Sequence, residues 1–112
     1  MKALAHPARE DLLIQSVLDA LANPLRLRIV KRLAGGEELT CSTVLPDVSA
    51  STASRHWQVL RESGVLWARR DGRIILHILR REDLDSRFPG LLDAVLAAVD
   101  ESDEEKSGST AA

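Results

Sequence analysis

The sequence predicts one mainly α-helical domain that carries a single β-hairpin. Ahead of Gly64, apolar residues recur about every three to four positions, which is the spacing of helices that bury one face. Between Val65 and Leu79 they come instead in two runs around Asp71-Gly72, a dipeptide that tight hairpin turns prefer. The chain has 112 residues, 45% of them apolar, so it can bury one compact core.

The first two predicted helices meet at Asn23-Pro24. Residues 9–22 form the first, whose apolar stripe is wide enough to contact two neighbours. Its members are Leu13, Ile14, Val17, Leu18, Ala20 and Leu21. Asn23 is a preferred cap and Pro24 a preferred first-turn residue for the second helix, which ends at Gly35-Gly36. The inward-facing residues of this helix are Leu25, Ile29, Val30 and Leu33.

A short third helix is predicted from Thr40, and Pro46 limits it to about two turns. It carries Cys41, the single cysteine, which cannot form a disulfide within the chain. We interpret Cys41 as a small buried residue, and the alternative is a redox role or a role as a lone metal ligand. A turn over residues 47–49 follows.

The fourth predicted helix, residues 50–63, has a polar, hydroxyl-rich face. Ser49 is placed to cap it by accepting the amide of Thr52, and Gly64 ends it with a residue that adopts the left-handed conformation easily. Its core-facing residues are Ala53, Trp57 and Leu60. The opposite side therefore presents hydroxyl, guanidinium and amide groups outward.

Two strands are predicted at residues 65–70 and 73–79, joined by a type I′ turn at Asp71-Gly72. Both faces of the second strand are apolar apart from His77, so one of them is expected to contact another element or a partner chain. A last helix is predicted to begin at Pro89. Its apolar face comprises Leu91, Leu92, Val95, Leu96 and Val99.

Charge is distributed unevenly along the chain. Residues 51–81 hold seven arginines against two acidic residues, whereas residues 100–106 hold five acidic residues and one lysine. The tail has only alanine as apolar material, so it cannot offset the entropy lost on ordering. We therefore predict a flexible N-terminus over residues 1–8, one domain over residues 9–99 and a disordered acidic tail over residues 100–112.

The composition also excludes several classes of protein. No apolar run approaches the ~18 residues of a membrane span, and the mixed charges of the N-terminus do not resemble a secretory signal. We therefore expect a cytoplasmic protein with no membrane partner. No set of nucleophile, base and orienting group is recognisable, and no glycine-rich phosphate loop occurs, so we expect no enzymatic activity. Three aromatic residues make a lean core, which favours a homodimer.

Helix, short helix, turn, helix and arginine-tipped hairpin together form the winged helix-turn-helix arrangement. Three blocks, LANPLRLRIVKRLAGG, SASTASRHWQVLRESGVL and RRDGRIILHIL, also resemble the ArsR/SmtB family of small bacterial repressors. They occur in the family's order, and the similarity extends over about residues 18–79. The resemblance implies a homodimeric repressor that binds palindromic operator DNA near its own promoter and releases it when a metal ion or another signal arrives.

The polar face of residues 50–63 fits the major groove of DNA. Arg55 can contact a guanine edge with two hydrogen bonds, and Gln58 can address an adenine. The resemblance maps Ala50, Ser51, Ser54 and Arg55 onto the family's reading positions. The predicted DNA contacts on this helix are Ala50, Ser51, Thr52, Ser54, Arg55, His56 and Gln58. We interpret His56 as a phosphate contact or a packing residue, and the alternative for the whole face is a solvated helix surface.

The hairpin and the apolar helices supply the other predicted contacts. Arg69, Arg70 and Arg73 flank the hairpin turn, where they can reach the minor groove or its phosphates. The homodimer interface is predicted from the first and last helices. Its residues are Leu13, Ile14, Val17, Leu91, Leu92, Val95, Leu96 and Val99.

A metal-responsive regulator is one alternative function. Family members that sense soft metals often carry two cysteines one residue apart, whereas here Cys41 has only hydroxyl neighbours. A site for nickel, zinc or cobalt would therefore need imidazole and carboxylate ligands. The candidates are His6, His77, Asp83 and Asp85. The other alternative is a winged-helix module that binds protein instead of DNA, and the retained arginines at 55, 69, 70 and 73 argue against it.

Overall fold

The computed structural model describes residues 6–36 and 48–99, which form a mainly α-helical fold with one antiparallel hairpin, as predicted. A 3-10 helix at Arg9–Asp11 comes first. The helices that follow are α1 (Ile14–Leu21), α2 (Pro24–Ala34), α3 (Ala50–Ser63), α4 (Arg81–Arg87) and α5 (residues 91–99). The strands are β1 (Leu66–Asp71) and β2 (Ile74–Leu79). Among the described helices, none is long and apolar enough to cross a membrane.

Four predictions fall wholly or partly outside these ranges. They are the short helix with Cys41, the start of the turn over residues 47–49, most of the flexible N-terminus and the acidic tail.

One apolar core joins α1, α2, α3 and the hairpin, and Leu84 and Leu92 close it from the last two helices. The predicted core residues of α3 are confirmed, because Ala53, Trp57 and Leu60 are all buried. The Trp57 indole stacks on the imidazole of His77, with 3.9 Å between the ring centroids. This contact holds α3 against β2 by its apolar side, so its polar side faces outward.

The predicted helix caps are confirmed. The Asn23 side chain accepts the amides of Leu25 and Arg26 at 2.9 and 3.1 Å, and so begins α2. The Ser49 hydroxyl accepts the Thr52 amide at 3.3 Å and begins α3. Each cap satisfies amides that the first turn of a helix leaves without a partner inside the helix.

The first helix differs from the prediction, which ran it continuously over residues 9–22. After the 3-10 helix, Leu12 and Leu13 are extended, and only then does α1 begin. Leu12 is buried in the core. The guanidinium of Arg87 donates to the carbonyl oxygens of Arg9, Glu10 and Leu12. These tertiary bonds satisfy carbonyls that a continuous helix would satisfy internally, so the break is stable.

The hairpin turn lies one residue later than predicted. Asp71 pairs with Ile74, which leaves Gly72-Arg73 as the two turn residues. A type I′ turn would need positive φ at both positions, but in the described chain only glycines have positive φ, and Gly72 has φ 62°. Glycine at the first turn position followed by a residue with negative φ is typical of a type II′ turn. The shift changes the partner of each strand residue by two positions, so the predicted faces of the strands are kept.

The segment after the hairpin holds a helix that the sequence analysis missed. In α4 only Leu84 is buried, so the segment shows no apolar period from which a helix could be predicted. The last helix begins at residue 91 and not at Pro89, because a turn at Pro89-Gly90 precedes it.

Candidate nucleic-acid interface

The outward side of α3 presents the polar residues that the sequence predicted for it. We define the polar face as its exposed members: Ala50, Ser51, Thr52, Ser54, Arg55 and Gln58. His56 is half-buried at the edge of this face, where it contacts α2. Because the buried Trp57 anchors the helix from behind, the polar face stands on a closely packed support.

Hydroxyl groups are linked to one another at the first turn of α3. The Ser49 hydroxyl donates to the Thr52 hydroxyl at 2.9 Å and also accepts the Thr52 amide. It lies 3.4 Å from the hydroxyl of Ser51. This turn therefore combines small side chains with the positive end of the helix dipole, a combination that favours a nearby phosphate.

Gln58 is oriented by an acidic neighbour one turn later on α3. Its side-chain nitrogen donates to the Glu62 carboxylate at 3.0 Å. A carboxylate only accepts hydrogen bonds, so the amide must place its nitrogen, not its oxygen, toward Glu62. The amide oxygen of Gln58 is thereby left for an external donor such as the exocyclic amine of adenine.

His56 is held by Arg26 of α2. The Arg26 guanidinium lies 3.1 Å from Nδ1 of His56 and also donates to the carbonyl oxygen of Ala20 at 2.6 Å. Burial lowers the pKa of His56 below its ordinary value, and the positive charges of Arg26 and Arg55 lower it further. Both effects favour the neutral form of the imidazole.

The three predicted arginines of the hairpin are all exposed near its tip. Arg70 is on the same face as Ala68 and His77, since alternate residues of a strand share a face and Arg70 pairs with Ile75. That face packs on α3 through the stacking of His77 on Trp57. Arg69 projects from the opposite face, and Arg73 lies in the turn. Arg70 and the polar face thus belong to the same side of the molecule.

A buried arginine at the base of the hairpin was not predicted from the sequence. The side chain of Arg80 is 1% exposed, and its guanidinium pairs with Asp83 at 2.8 Å. It also donates to the carbonyl oxygen of Pro7 at 2.8 Å and lies 3.8 Å from the centroid of the Trp67 ring. The amide of Ala68 donates to Nε2 of His6 at 2.9 Å, which adds a second link between the N-terminal segment and the hairpin. The i,i+3 spacing of Arg80 and Asp83 is the only signal in the sequence that could have indicated this cluster.

The four candidate metal ligands are not brought together. His77 is buried against Trp57, and His6 accepts the Ala68 amide. Burial alone would raise the pKa of Asp83, but hydrogen bonds from Arg9 and Arg80 outweigh it and lower the pKa below its ordinary value. Asp85 pairs with Arg81 at 3.4 Å. Within residues 6–36 and 48–99, no three His, Cys, Asp or Glu side chains lie close enough to hold a metal ion.

The predicted dimer residues fall into three groups by their burial in the single chain. Val17 and Leu92 are buried in the core of the chain itself, so they are not available to contact a partner chain as predicted. Leu13, just ahead of α1, and Ile14, its first residue, are exposed by 54% and 40%. Leu18 of α1, which was not predicted for the interface, is exposed by 47%. The predicted residues of α5 other than Leu92 are half-buried. They are Leu91, Val95, Leu96 and Val99.

Comparison with known proteins identifies relatives that contain a helix-turn-helix domain. A family model described as a helix-turn-helix domain matches residues 21–66. YceK, an uncharacterised HTH-type transcriptional regulator of Bacillus subtilis (strain 168), is 32% identical over 89 residues, which cover 77% of this chain and 89% of YceK.

Two solved structures extend the match to the fold. An ArsR family transcriptional regulator superposes with a TM-score of 0.60 at 25% identity, over 81% of this chain and 96% of its own. The transcriptional repressor BigR from Xylella fastidiosa superposes with a TM-score of 0.54 at 26% identity, over 67% of this chain and 85% of its own.

These relatives are transcriptional regulators, and this chain is likewise a regulator with a DNA-binding helix-turn-helix domain and not an enzyme. The capped helix α3, its outward polar face and the arginine-bearing hairpin behind it are the parts of a winged helix-turn-helix. The chain is 32% identical to an HTH-type transcriptional regulator over 77% of its length and shares its fold with an ArsR family regulator, so it belongs to the ArsR family of winged helix-turn-helix transcriptional regulators.

Proposed function

We propose that the protein is a homodimeric repressor that reads a palindromic operator with the polar face of α3. The observation that carries this proposal is the combination of an exposed guanidinium, Arg55, and an oriented amide, Gln58, on a helix anchored by the buried Trp57. Such a face offers the kinds of donor and acceptor that recognise base edges in the major groove. BigR, which superposes on this chain, is a transcriptional repressor, and this supports repression as the outcome of binding. Such a regulator would act in the cytoplasm, where bacterial DNA lies.

Each part of the interface has its own proposed role. Arg55 specifies a guanine, and Gln58 accepts from an adenine or another base with an outward amine. The small residues Ala50, Ser51, Thr52 and Ser54 let the first turn of α3 approach the DNA closely. Arg69, Arg70 and Arg73 contact phosphates or the adjacent minor groove, which adds affinity without specificity.

The direct test is a fluorescence-anisotropy titration of the protein with the DNA upstream of its own gene and with a scrambled duplex of equal length. Tighter binding to the upstream DNA is the expected result, and equal binding to both would contradict the proposal. Repeating the titration with zinc, nickel or cobalt shows whether a metal changes the affinity.

Replacing Arg70 with alanine is expected to weaken binding to every duplex by a similar factor. One phosphate contact is lost, so the slope of log affinity against log salt should fall by about one. Titrations at several salt concentrations measure this slope. Arg70→Lys is the matched control, because it keeps the charge and should keep the slope. A loss confined to the operator would show that Arg70 reads bases instead.

The homodimer is proposed to form on the exposed apolar side of α1 together with α5. Leu13, Ile14 and Leu18 form a patch that water would contact in a monomer, and a second copy of the chain would bury it. Two α3 helices related by a two-fold axis would then read two half-sites about one helical turn apart.

Replacing Leu18 with glutamate should separate the dimer without unfolding the chain. Leu18 is 47% exposed in the single chain, so its replacement should change the stability of the monomer little. In the dimer the new carboxylate would be buried, which would disfavour the interface. Sedimentation velocity gives the mass, and circular dichroism confirms the fold. Gln15→Glu, also exposed on α1, is the control and should stay dimeric. A parent protein that sediments as a monomer would contradict the homodimer.

A further inference from the structure

One guanidinium connects three helices behind the polar face. Arg26 of α2 donates to the carbonyl oxygens of Ala20 and Asp19 at the end of α1, at 2.6 and 3.3 Å. It also lies 3.1 Å from Nδ1 of His56 on α3. The imidazole is half-buried, so this contact is partly screened from water.

The chemistry of this contact determines where the ring proton lies. A guanidinium has five donors and no acceptor, so Nδ1 of His56 must accept from Arg26. A neutral imidazole carries its single proton on the other nitrogen, and which nitrogen is protonated is set by such a hydrogen bond. His56 must therefore carry its proton on Nε2.

We propose that Arg26 is a positioning residue that holds His56 as the Nε2–H tautomer, so that α3 offers a neutral ring donor to a DNA phosphate. This inference rests on the proposed function, in which α3 lies in the major groove. A phosphate is favoured over a base because His56 lies at the edge of the polar face, where Arg26 and Arg55 add positive charge.

The same geometry makes the contact sensitive to acid. Protonated His56 has no lone pair for Arg26, and the charged groups of the described chain that act on it, Arg26 from α2 and Arg55 from its own helix, are both positive. As the pH falls and the ring gains a second proton, the link between α2 and α3 is lost.

The tautomer is measured in the free protein by long-range proton–nitrogen NMR of the ring nitrogens. The His56 signals are identified by their absence in His56→Gln. The expected result is a protonated Nε2 in the parent and a mixture of tautomers in Arg26→Met. Arg26→Ala, which also removes the donor, serves as a second variant if Arg26→Met does not fold. A protonated Nδ1 in the parent would overturn the assignment, and a tautomer unchanged in a folded Arg26 variant would show that Arg26 is only structural.

The DNA contact is measured separately with two variants of His56. His56→Met removes the donor and should weaken binding to operator and scrambled duplex alike, by roughly tenfold, with an unchanged salt slope because the ring is neutral. His56→Gln is the matched control: its oxygen can accept from Arg26 and its nitrogen can donate outward. His56→Gln should therefore bind DNA like the parent. Because glutamine does not gain a proton, its link between α2 and α3 should persist as the pH falls.

The outcomes separate this inference from the proposed function. If His56→Met binds like the parent, His56 makes no contact with DNA. A loss confined to the operator would mean that His56 contacts a base, and a reduced salt slope would mean that it binds as a cation. Either result overturns the neutral phosphate contact. If instead the parent binds operator and scrambled DNA equally, the proposed function fails, while the NMR result still decides the role of Arg26.

Discussion

Replacing Gly64 with alanine is expected to lower the free energy of unfolding by about 3 kcal/mol, through backbone strain and steric overlap together. Gly64 ends α3 with φ 87°, a conformation that residues with a Cβ rarely adopt. The added Cβ would overlap Cδ2 of Leu12, which is buried and cannot turn away into solvent. It would also lie 3.1 Å from Cγ of Pro7.

Gly90→Ala is the matched control for this change. Gly90 has φ 83°, close to that of Gly64, but no described heavy atom lies within 4 Å of its added Cβ. Gly90→Ala should therefore lower the free energy of unfolding only through backbone strain, by about 1 kcal/mol. Urea unfolding followed by tryptophan fluorescence measures both variants. Equal losses would mean that the contacts of Leu12 and Pro7 do not restrict this position.

Arg55→Ala is expected to remove most of the preference for the operator over a scrambled duplex. A bidentate contact to guanine discriminates by about 1–3 kcal/mol, which is roughly fivefold to 150-fold in the ratio of affinities per half-site. Arg55 is exposed on α3 and is not needed for the core, so the variant should fold normally. Competition titrations with both duplexes measure the ratio.

The matched variant Arg55→Lys separates charge from geometry. Lysine keeps the positive charge but lacks the planar pair of donors. It should therefore keep much of the affinity for scrambled DNA while losing preference for the operator. Parent-like discrimination in Arg55→Ala would show that another part of the chain reads the sequence.

The confirmed predictions concern interactions between residues that are close in the sequence. Asn23 and Ser49 accept amides two or three residues further on, and Gly64 ends α3 through its own backbone conformation. The apolar period of α3 likewise assigned Trp57 to the core and the polar face to the outside. Such features follow from a few consecutive side chains, so they can be predicted without knowledge of the rest of the fold.

The errors lie where one part of the chain responds to a distant part. The first helix breaks because Arg87 supplies hydrogen bonds to carbonyls 75 to 78 residues earlier. Asp71-Gly72 is a favourable sequence for a hairpin turn. The pairing of the two strands nevertheless moves the turn by one residue, so that Gly72 is its first residue. In the helix α4 only Leu84 is buried, so no apolar periodicity indicated it.

The sequence by itself determined the order of α1, α2, α3 and the hairpin, the caps, the polar face and the arginines of the hairpin, because propensity and periodicity act over a few residues. Only the tertiary structure decided that Arg80 is buried beneath Trp67 and that Arg26 contacts His56, 30 residues away. A guanidinium in a sequence looks the same whether it faces water, a carbonyl or an imidazole. Its partner is chosen when the helices pack, and that packing gives Arg26 and Arg80 roles that their neighbours in the sequence do not indicate.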